Sequence, residues 1–288
     1  MNEFELDELK HLNDHKVYLL NRNDRITIEY NSFDLTKALI NLITKAYNTS
    51  KEKGRFYKYY LYISGQDFPI KTNSYIHDFL EENYPKPFID IHPWDLDNWM
   101  YHKFKNYYFS LPRTFIRSRL KRNTFNLFGK IVRAPFELPT ILFENILTKV
   151  IGSPYNKLTA KGYNLYGGSL WWILPDDIIS YIVENYRSSY IFKIMKYTKT
   201  AEETFFHTFV MNSNLKNRFT VYDSLDANQY SMTYLIFSDK KRPVVTGHPY
   251  VFDVTDFDLI ISQSHLFARK FDITKDEEIL NKIEEYTT

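Results

Sequence analysis

The chain contains no cysteine, and its apolar runs are short. Without cysteine it can form no disulfide framework, no thiolate metal site and no cysteine nucleophile. Apolar runs such as Leu170–Pro175 are far shorter than the ~20 residues that cross a bilayer. The first residues also lack the charged and then apolar pattern of a signal peptide. These features predict a protein of a reducing compartment, with the cytoplasm as the default.

Neither sign of charge dominates, because 37 basic and 35 acidic side chains leave a net charge of +2. This balance gives no reason to expect a nucleic-acid partner. A hydrophobic share of 44% and a charged share of 25% are typical of a globular protein and exclude a disordered or collagen-like chain. Aromatic residues reach 18% while alanine occurs only seven times. Since Tyr, Phe, Asn, Lys and Ile are all frequent, this bias indicates an AT-rich coding sequence rather than an aromatic binding surface.

Several common catalytic motifs are absent from the sequence. It has no GxxxxGK[ST] phosphate loop, no GxGxxG, no HExxH and no GxSxG. The eight histidines are scattered along the sequence, and His11 and His15 are the one pair at helical spacing. Two DxD pairs occur, Asp95/Asp97 and Asp256/Asp258, but about one pair is expected by chance among 19 aspartates. We therefore expect neither pair to hold a metal ion.

Strand-like and helix-like segments alternate along the chain, which predicts an α/β architecture in one compact domain, residues 1–288. Leu35–Tyr47 has apolar residues at helical spacing, and Asn73 or Ser74 could cap a second helix. Tyr59–Ile63 reads as a strand that ends in a polar, glycine-containing turn. Such strand ends are where α/β proteins place ligands. Short strands are also expected at 16–20, 25–30 and 231–237, helices at 201–211 and after Pro175, and a C-terminal helix within 272–288.

The segment 98–136 carries nine basic residues and no acidic one, with apolar residues between them. It forms the first part of a basic amphipathic insertion that we place at 98–164. Such a segment can rest on an anionic membrane surface, where each cation contributes roughly 1 kcal/mol. It can equally be a solvated basic helix packed on the domain, or an insertion that binds an acceptor. The sequence leaves these alternatives open.

Four segments stand out, and together they carry a family resemblance. They are residues 60–72 (YLYISGQDFPIKT), 167–172 (GGSLWW), 201–206 (AEETFF) and 266–271 (LFARKF). In this order and spacing they resemble segments of the core-2/I-branching β-1,6-N-acetylglucosaminyltransferases and the peptide O-xylosyltransferases, which form glycosyltransferase family 14. The resemblance covers roughly residues 25–275.

The resemblance implies a GT-A-like α/β fold with a mixed central sheet flanked by helices, and an inverting mechanism that needs no metal ion. Inverting transfer requires a carboxylate to accept the proton of the acceptor hydroxyl, and positive charge on the departing nucleotide diphosphate. Glu203 matches the catalytic glutamate of the family. A glutamate in a first helical turn can also merely favour the helix dipole, and Glu202 would do so equally well.

The resemblance also implies a donor pocket and an acceptor pocket. Lys270 matches a lysine that contacts the donor pyrophosphate, Arg242 resembles a second basic ligand, and Arg269 is a further candidate. The remaining donor-side candidates are Ser64, Gly65, Gln66 and Asp67. On the acceptor side the candidates are Gly168, Ser169, Trp171, Trp172 and Phe237. One of the two tryptophans could instead pack in the core, and the cations could be solvated surface charges.

Two departures from the family pattern remain. Nothing in residues 1–24 resembles the first nucleotide-binding β-α-β unit, so we expect the chain to lack it, with weaker donor binding as a consequence. The absence of cysteine favours a bacterial, cytoplasmic member, with possible peripheral contact at the inner face of the membrane. The expected donor is UDP-N-acetylglucosamine or UDP-xylose, and the expected acceptor is a saccharide, such as a lipid-linked intermediate of a surface or exopolysaccharide.

Two other functions are compatible with these residues. A glycosyltransferase-like protein without donor affinity could act as a carbohydrate-binding or assembly partner. A hydrolase that uses Glu202 and Glu203 as its paired carboxylates is a poor fit. Adjacent helical residues point about 100° apart and would not flank one glycosidic bond.

Overall fold

The computed structural model describes residues 18, 20–29, 32–94, 101–109, 127–222, 230–237 and 248–288, with the backbone alone for 22, 127–134 and 136. The candidates Arg242, Asp95 and Asp97 lie outside these residues, as do most of the predicted strand at 16–20 and much of the basic segment.

Helices form most of the regular structure. The α-helices are α1 Asp34–Glu52, α2 Asn73–Asn83, α3 Tyr101–Phe104, α4 Leu127–Ile151, α5 Pro154–Thr159, α6 Asp176–Asn185, α7 Tyr190–Met195, α8 Phe205–Met211, α9 Phe257–Ile261 and α10 Glu278–Thr287. Short 3₁₀ turns lie at Arg22–Asp24, Ala201–Glu203, Lys216–Arg218 and Val254–Asp256. Among the helices of the described residues, none combines the length and the apolar character needed to cross a bilayer.

The strands are short and form three small sheets in the described part of the chain. They are β1 Tyr59–Leu61, β2 Asp67–Pro69, β3 Phe88–Ile89, β4 His92–Pro93, β5 Tyr166–Gly167, β6 Trp172–Pro175, β7 Thr233–Tyr234 and β8 Phe267–Arg269. One sheet has the order β1-β6-β3 with antiparallel pairs, and β4 pairs with β5. In the sheet β2-β8-β7, β2 and β8 are antiparallel while β7 and β8 are parallel. The architecture is therefore mixed α/β, as predicted, and agrees with a GT-A-like fold.

The helix predicted at 35–47 is observed as part of α1, although Leu42 of the predicted apolar pattern is 47% exposed. Leu39, Ile40, Ile43 and Tyr47 are all buried, and the helix packs against α6. The largest core cluster joins these residues to β6 and α8 through side chains such as Trp172 and Phe206. Tyr60 of β1 belongs to this cluster and Tyr62 packs against it, so the turn after β1 adjoins the core.

Several local predictions need correction. The cap of α2 is Thr72 and not Asn73 or Ser74, because the Thr72 hydroxyl accepts a hydrogen bond from the Tyr75 amide at 3.1 Å. Residues 25–29 form no strand. The single helix predicted at 201–211 is divided at Thr204, where φ is −144° and the 3₁₀ turn ends before α8 begins. The two glutamates therefore lie on a separate turn and not on α8.

Candidate active site

The turn after β1 is fixed by its own hydrogen bonds. The Asp67 carboxylate accepts the amide of Ser64, and the Asp67 amide donates to the Ser64 carbonyl at 3.1 Å. The Phe271 amide reaches the Gln66 carbonyl at 3.0 Å and ties the turn to the chain beyond β8. Gly65 is exposed, and a Cβ placed on it would meet no other atom of the described chain within 4 Å. The sequence thus correctly predicts a polar turn at a strand end.

Asp67 and Arg269 form a buried ion pair across the strands β2 and β8, where they are register partners. Arg269 Nη1 lies 3.2 Å from Asp67 Oδ1, and their side chains are only 10% and 1% exposed. The indole nitrogen of Trp171 donates to Asp67 Oδ2 at 2.8 Å, while the Arg269 guanidinium lies 3.7 Å from the centre of the Trp171 ring. Both charged side chains were expected to bind the donor, but here they hold the turn and the indole to each other.

Lys270 follows this pair immediately and has a different environment. Its backbone is bonded to Tyr250 and Phe252, whereas its half-buried side chain has no described group within hydrogen-bonding distance of the ammonium. Its charge acts on Asp272, whose pKa is lowered mainly by the Thr274 hydroxyl and amide, with smaller contributions from Lys275 and then Lys270. Of the two adjacent cations, Lys270 is thus the one whose charge is available for a ligand.

Glu203 is held from two sides. Its carbonyl accepts the amide of Gly168 at 3.0 Å, and its carboxylate forms an ion pair with Lys103. The Glu203 side chain is 33% exposed, so that the carboxylate is accessible, whereas Lys103 is only 10% exposed. Lys103 comes from α3, 100 residues earlier in the chain. The sequence could not predict it as a partner, because no local pattern links the two residues.

The 168–171 segment connects Glu203 to the turn after β1. Gly168 bonds the backbone of Glu203, and Trp171 bonds the Asp67 carboxylate. Between them, the Ser169 hydroxyl accepts the Trp171 amide at 3.3 Å. The candidate base and the candidate donor turn are therefore parts of one bonded assembly.

Packing against neighbouring groups requires a glycine at position 168. A Cβ on this residue would lie 1.8 Å from the Asp90 carbonyl oxygen and 2.9 Å from His207 Nε2. His207 is fully buried, and its Nε2 bonds the Ser169 carbonyl at 3.0 Å. Burial lowers the pKa of His207 to about 3, so the ring is neutral and donates through Nε2. Asp90 and His207 were not singled out in the sequence, where neither belongs to a recognisable motif.

Glu202 has the most perturbed carboxyl group near the site. Burial raises its pKa to about 7, the adjacent Glu203 charge adds to the rise, and Lys103 opposes it. Its Oε2 is buried without a hydrogen-bond partner. The Tyr62 hydroxyl, whose pKa is raised by burial, also responds to the charges of Asp67, Arg269 and Glu202. Glu202 therefore lies on the inner side of the site and is protonated below neutral pH.

Replacing Glu202 with Gln should abolish a pH-dependent loss of stability. The unfolded carboxyl ionises near 4.5 and the folded one near 7, so the folded state retains a proton that the unfolded state releases in this window. The free energy of unfolding then falls as pH rises from about 4.5 to 7, by about 2–3 kcal/mol. In urea unfolding, the free energy of unfolding of Glu202→Gln should therefore rise by that amount relative to the wild type as the pH rises from 4.5 to 8.

The matched control for this prediction is Glu285→Gln, which changes an exposed carboxylate on α10. This control should keep the pH dependence of the wild type. If Glu202→Gln and Glu285→Gln give the same pH profile, the Glu202 carboxyl does not titrate as described.

The three aromatic candidates of the acceptor pocket have different environments. Trp172 is 1% exposed and packs 5.7 Å from the Phe206 ring, so it is the tryptophan that belongs to the core and not to a sugar pocket. Trp171 is half-buried beside the turn. Phe237 is 50% exposed, and no ring contact joins it to the described part of the site.

In the DxD pair at Asp256 and Asp258, Asp256 has a structural role and Asp258 is exposed. Asp256 is 2% exposed, and its carboxylate accepts the Asp253 amide in a capping box at 3.2 Å. Within the residues that the structure describes, no group of three or more His, Asp or Glu side chains could hold a metal ion.

Comparison with known proteins gives one family. A family model described as Core-2/I-Branching enzyme matches residues 3–260. The match includes the 64–67 turn, the 168–171 segment and Glu203, and it also reaches into the residues before 25. No curated protein matches the chain.

Proposed function

Because this chain belongs to the Core-2/I-Branching enzyme family, a family of glycosyltransferases, we propose that it is an inverting, metal-independent transferase. In this proposal it moves N-acetylglucosamine or xylose from a UDP-sugar to a saccharide acceptor. The main support is that the 168–171 segment bonds Glu203 at one end and the Asp67–Arg269 pair at the other. That arrangement places an accessible carboxylate and a strand end carrying Lys270 on the same assembly.

In the proposed reaction Glu203 is the general base. The acceptor hydroxyl gives its proton to the Glu203 carboxylate, and its oxygen attacks the anomeric carbon on the face opposite UDP. The bond from that carbon to the phosphate oxygen breaks, and its electron pair leaves with UDP. The ion pair with Lys103 holds the carboxylate in one position before the acceptor enters.

The departing UDP needs a cationic partner where no metal ion serves, and Lys270 is the residue we assign to it. Its ammonium has no described protein partner, whereas the adjacent Arg269 is committed to Asp67. Arg242, outside the described residues, is the second proposed cation. A charge-assisted hydrogen bond to a phosphate oxygen is short and roughly twice as strong as a neutral one.

Lys270→Ala should weaken UDP binding by about 1.5–3 kcal/mol, the usual contribution of a hydrogen bond to a charged group. Calorimetric titration with UDP in the presence of EDTA measures this difference. Lys275→Ala removes an exposed cation five residues later in the chain and should bind UDP as the wild type does. Equal affinities of the two variants would contradict the role of Lys270. If the wild type binds no UDP at all, the protein is instead a carbohydrate-binding or assembly partner.

The finer details of this function are also proposals. A lipid-linked saccharide of a surface or exopolysaccharide pathway would suit an enzyme that works in the cytoplasm at the inner face of the membrane. The 168–171 segment and Phe237 form the proposed acceptor side. Trp171 in that segment is half-buried, and Phe237, which follows β7 in the chain, is 50% exposed, so both rings retain surface for a sugar.

A further inference from the structure

Helix α4 presents its apolar side chains to solvent. Leu138, Leu142 and Val150 are between 58% and 75% exposed, and the neighbouring Phe143 and Ile146 are 55% and 51% exposed. At 100° per residue, positions 138, 142, 146 and 150 follow one another along one side of the helix. At 1.5 Å per residue this row is about 18 Å long. The exposed apolar side chains of this row and its flanks are Leu138, Ile141, Leu142, Phe143, Ile146 and Val150.

Three polar side chains of the same helix, at 144, 145 and 148, bond to the protein. Glu144 is 5% exposed and accepts the amide of Phe109 at 2.7 Å. Thr148 accepts the amide of Tyr107 at 3.3 Å, and Asn145 accepts the side-chain amide of Asn106 at 2.9 Å. A helix on the surface of a globular protein normally does the reverse, with its apolar side inward. Since α4 bonds to the protein through polar groups, its outer side is built for an apolar environment.

The charges around this outer side are positive. Lys149 lies among the exposed apolar residues, while Glu144 is turned inward. A cleft of about 650 Å³ begins beside Pro139 and Phe143 and includes the exposed cations Lys37 and Lys196, with Asp34 as its acidic member. Asp34 is already bonded by the Ser32 hydroxyl at 2.7 Å. In sequence, residues 98–136, which include the first ten residues of α4, carry nine basic and no acidic side chains, of which Lys103 is paired with Glu203.

We propose that α4 is a membrane-docking helix that lies in the interface of an anionic bilayer. Leu138, Leu142, Ile146 and Val150 enter the boundary between headgroups and acyl chains. Lys149, Lys37 and Lys196 meet the anionic headgroups around them. Apolar burial and electrostatic attraction act together on such helices, and each cation near the surface contributes about 1 kcal/mol.

Charge favours a bilayer over a second copy of this chain as the occupant. Two copies that buried α4 against each other would bring their Lys149 side chains, and the exposed Lys37 and Lys196 beside the helix, to one interface. Like charges brought together in an interface are unfavourable, whereas anionic headgroups complement them. The proposal does not depend on the transferase activity, because docking needs neither donor nor acceptor.

Flotation with lipid vesicles tests this docking. The protein is mixed in low salt with phosphatidylcholine vesicles that contain either no anionic lipid or about 30% phosphatidylglycerol as the source of anionic headgroups. The test variant is Leu138→Gln/Leu142→Gln/Ile146→Gln, and the control is Ile28→Gln/Phe56→Gln/Ile273→Gln. The control residues are 52%, 66% and 61% exposed and lie outside α4. Both triple variants therefore remove exposed apolar groups without opening the core.

The wild type and the control should float with the anionic vesicles, and the α4 variant should bind at least about tenfold more weakly. Raising the salt to 1 M should release the wild type, since the Debye length falls to about 3 Å. Equal flotation of the wild type and the α4 variant would overturn the proposal, as would no flotation of the wild type. A wild-type dimer that the α4 variant loses, measured by light scattering, would assign the surface to a second copy instead.

Discussion

Glu203→Gln should lower glycosyl transfer by about 10²–10⁴-fold and leave UDP affinity near that of the wild type. That range is the usual contribution of a positioned general base. The amide of Gln keeps the size of the side chain and can still accept a hydrogen bond from Lys103, so the turn should keep its structure. The backbone bond from Gly168 to residue 203 does not depend on the side chain. Rates and UDP titrations on the same preparations separate the loss of the base from a loss of folding.

Glu202→Gln is the matched control for this prediction, because it changes the adjacent carboxyl group on the same 3₁₀ turn. It should keep most of the transfer activity at neutral pH. If Glu203→Gln retains activity and Glu202→Gln loses it, the base is Glu202, whose raised pKa of about 7 suits proton transfer near neutrality. The pair of variants thus distinguishes the two carboxylates directly.

Arg269→Leu should destabilise the fold by about 3–5 kcal/mol, because it leaves the Asp67 carboxylate buried without its cation. The Asp67 side chain is 1% exposed, so water cannot replace the guanidinium. The substitution also removes the cation that lies 3.7 Å from the centre of the Trp171 ring. Urea unfolding at pH 7 measures the loss.

The double variant Asp67→Asn/Arg269→Leu tests whether this loss comes from the unpaired charge. Removing both charges should recover part of the stability, so that the double variant is less destabilised than the sum of the single ones. A purely additive result, or a single-variant loss below about 1 kcal/mol, would show that the pair contributes no more than an exposed one.

Part of the fold could be predicted from local patterns. The spacing of apolar residues in α1 depends only on the period of a helix, and Tyr59–Ile63 has the composition of a strand. The polar turn at 64–67 follows from the same reasoning, since a strand that ends in glycine and polar residues cannot continue into a core. These features are local, and the sequence contains all the information they need.

Other features depend on which residues meet in space. Only the structure shows that Trp172 faces the core while Trp171 reaches Asp67, because both tryptophans belong to the same motif. Lys103 meets Glu203 across 100 residues of sequence. The absence of a side chain at Gly168 reflects the Asp90 carbonyl behind it, and no pattern around residue 168 indicates that contact. Most of the site therefore depends on burial and on contacts between residues that are far apart in the sequence.

The orientation of α4 is another feature that local sequence patterns could not predict. The sequence indicated a basic amphipathic segment but not which side would face the protein. Hydrogen bonds to Asn145, Thr148 and Glu144 from the 101–109 segment turn the polar side inward. The orientation could not be derived from periodicity, because an amphipathic pattern is equally regular in either orientation.

The most direct test of this account is the anomeric configuration of the product formed in EDTA. UDP-N-acetylglucosamine and UDP-xylose carry α-linked sugars, so inverting transfer to simple aryl glycoside acceptors must give β-linked products. We expect the wild-type protein to form a β-linked product from one of these donors in EDTA, identified by the coupling of its new anomeric proton in NMR. An α-linked product, or transfer that occurs only after Mn²⁺ or Mg²⁺ is added, would contradict the account.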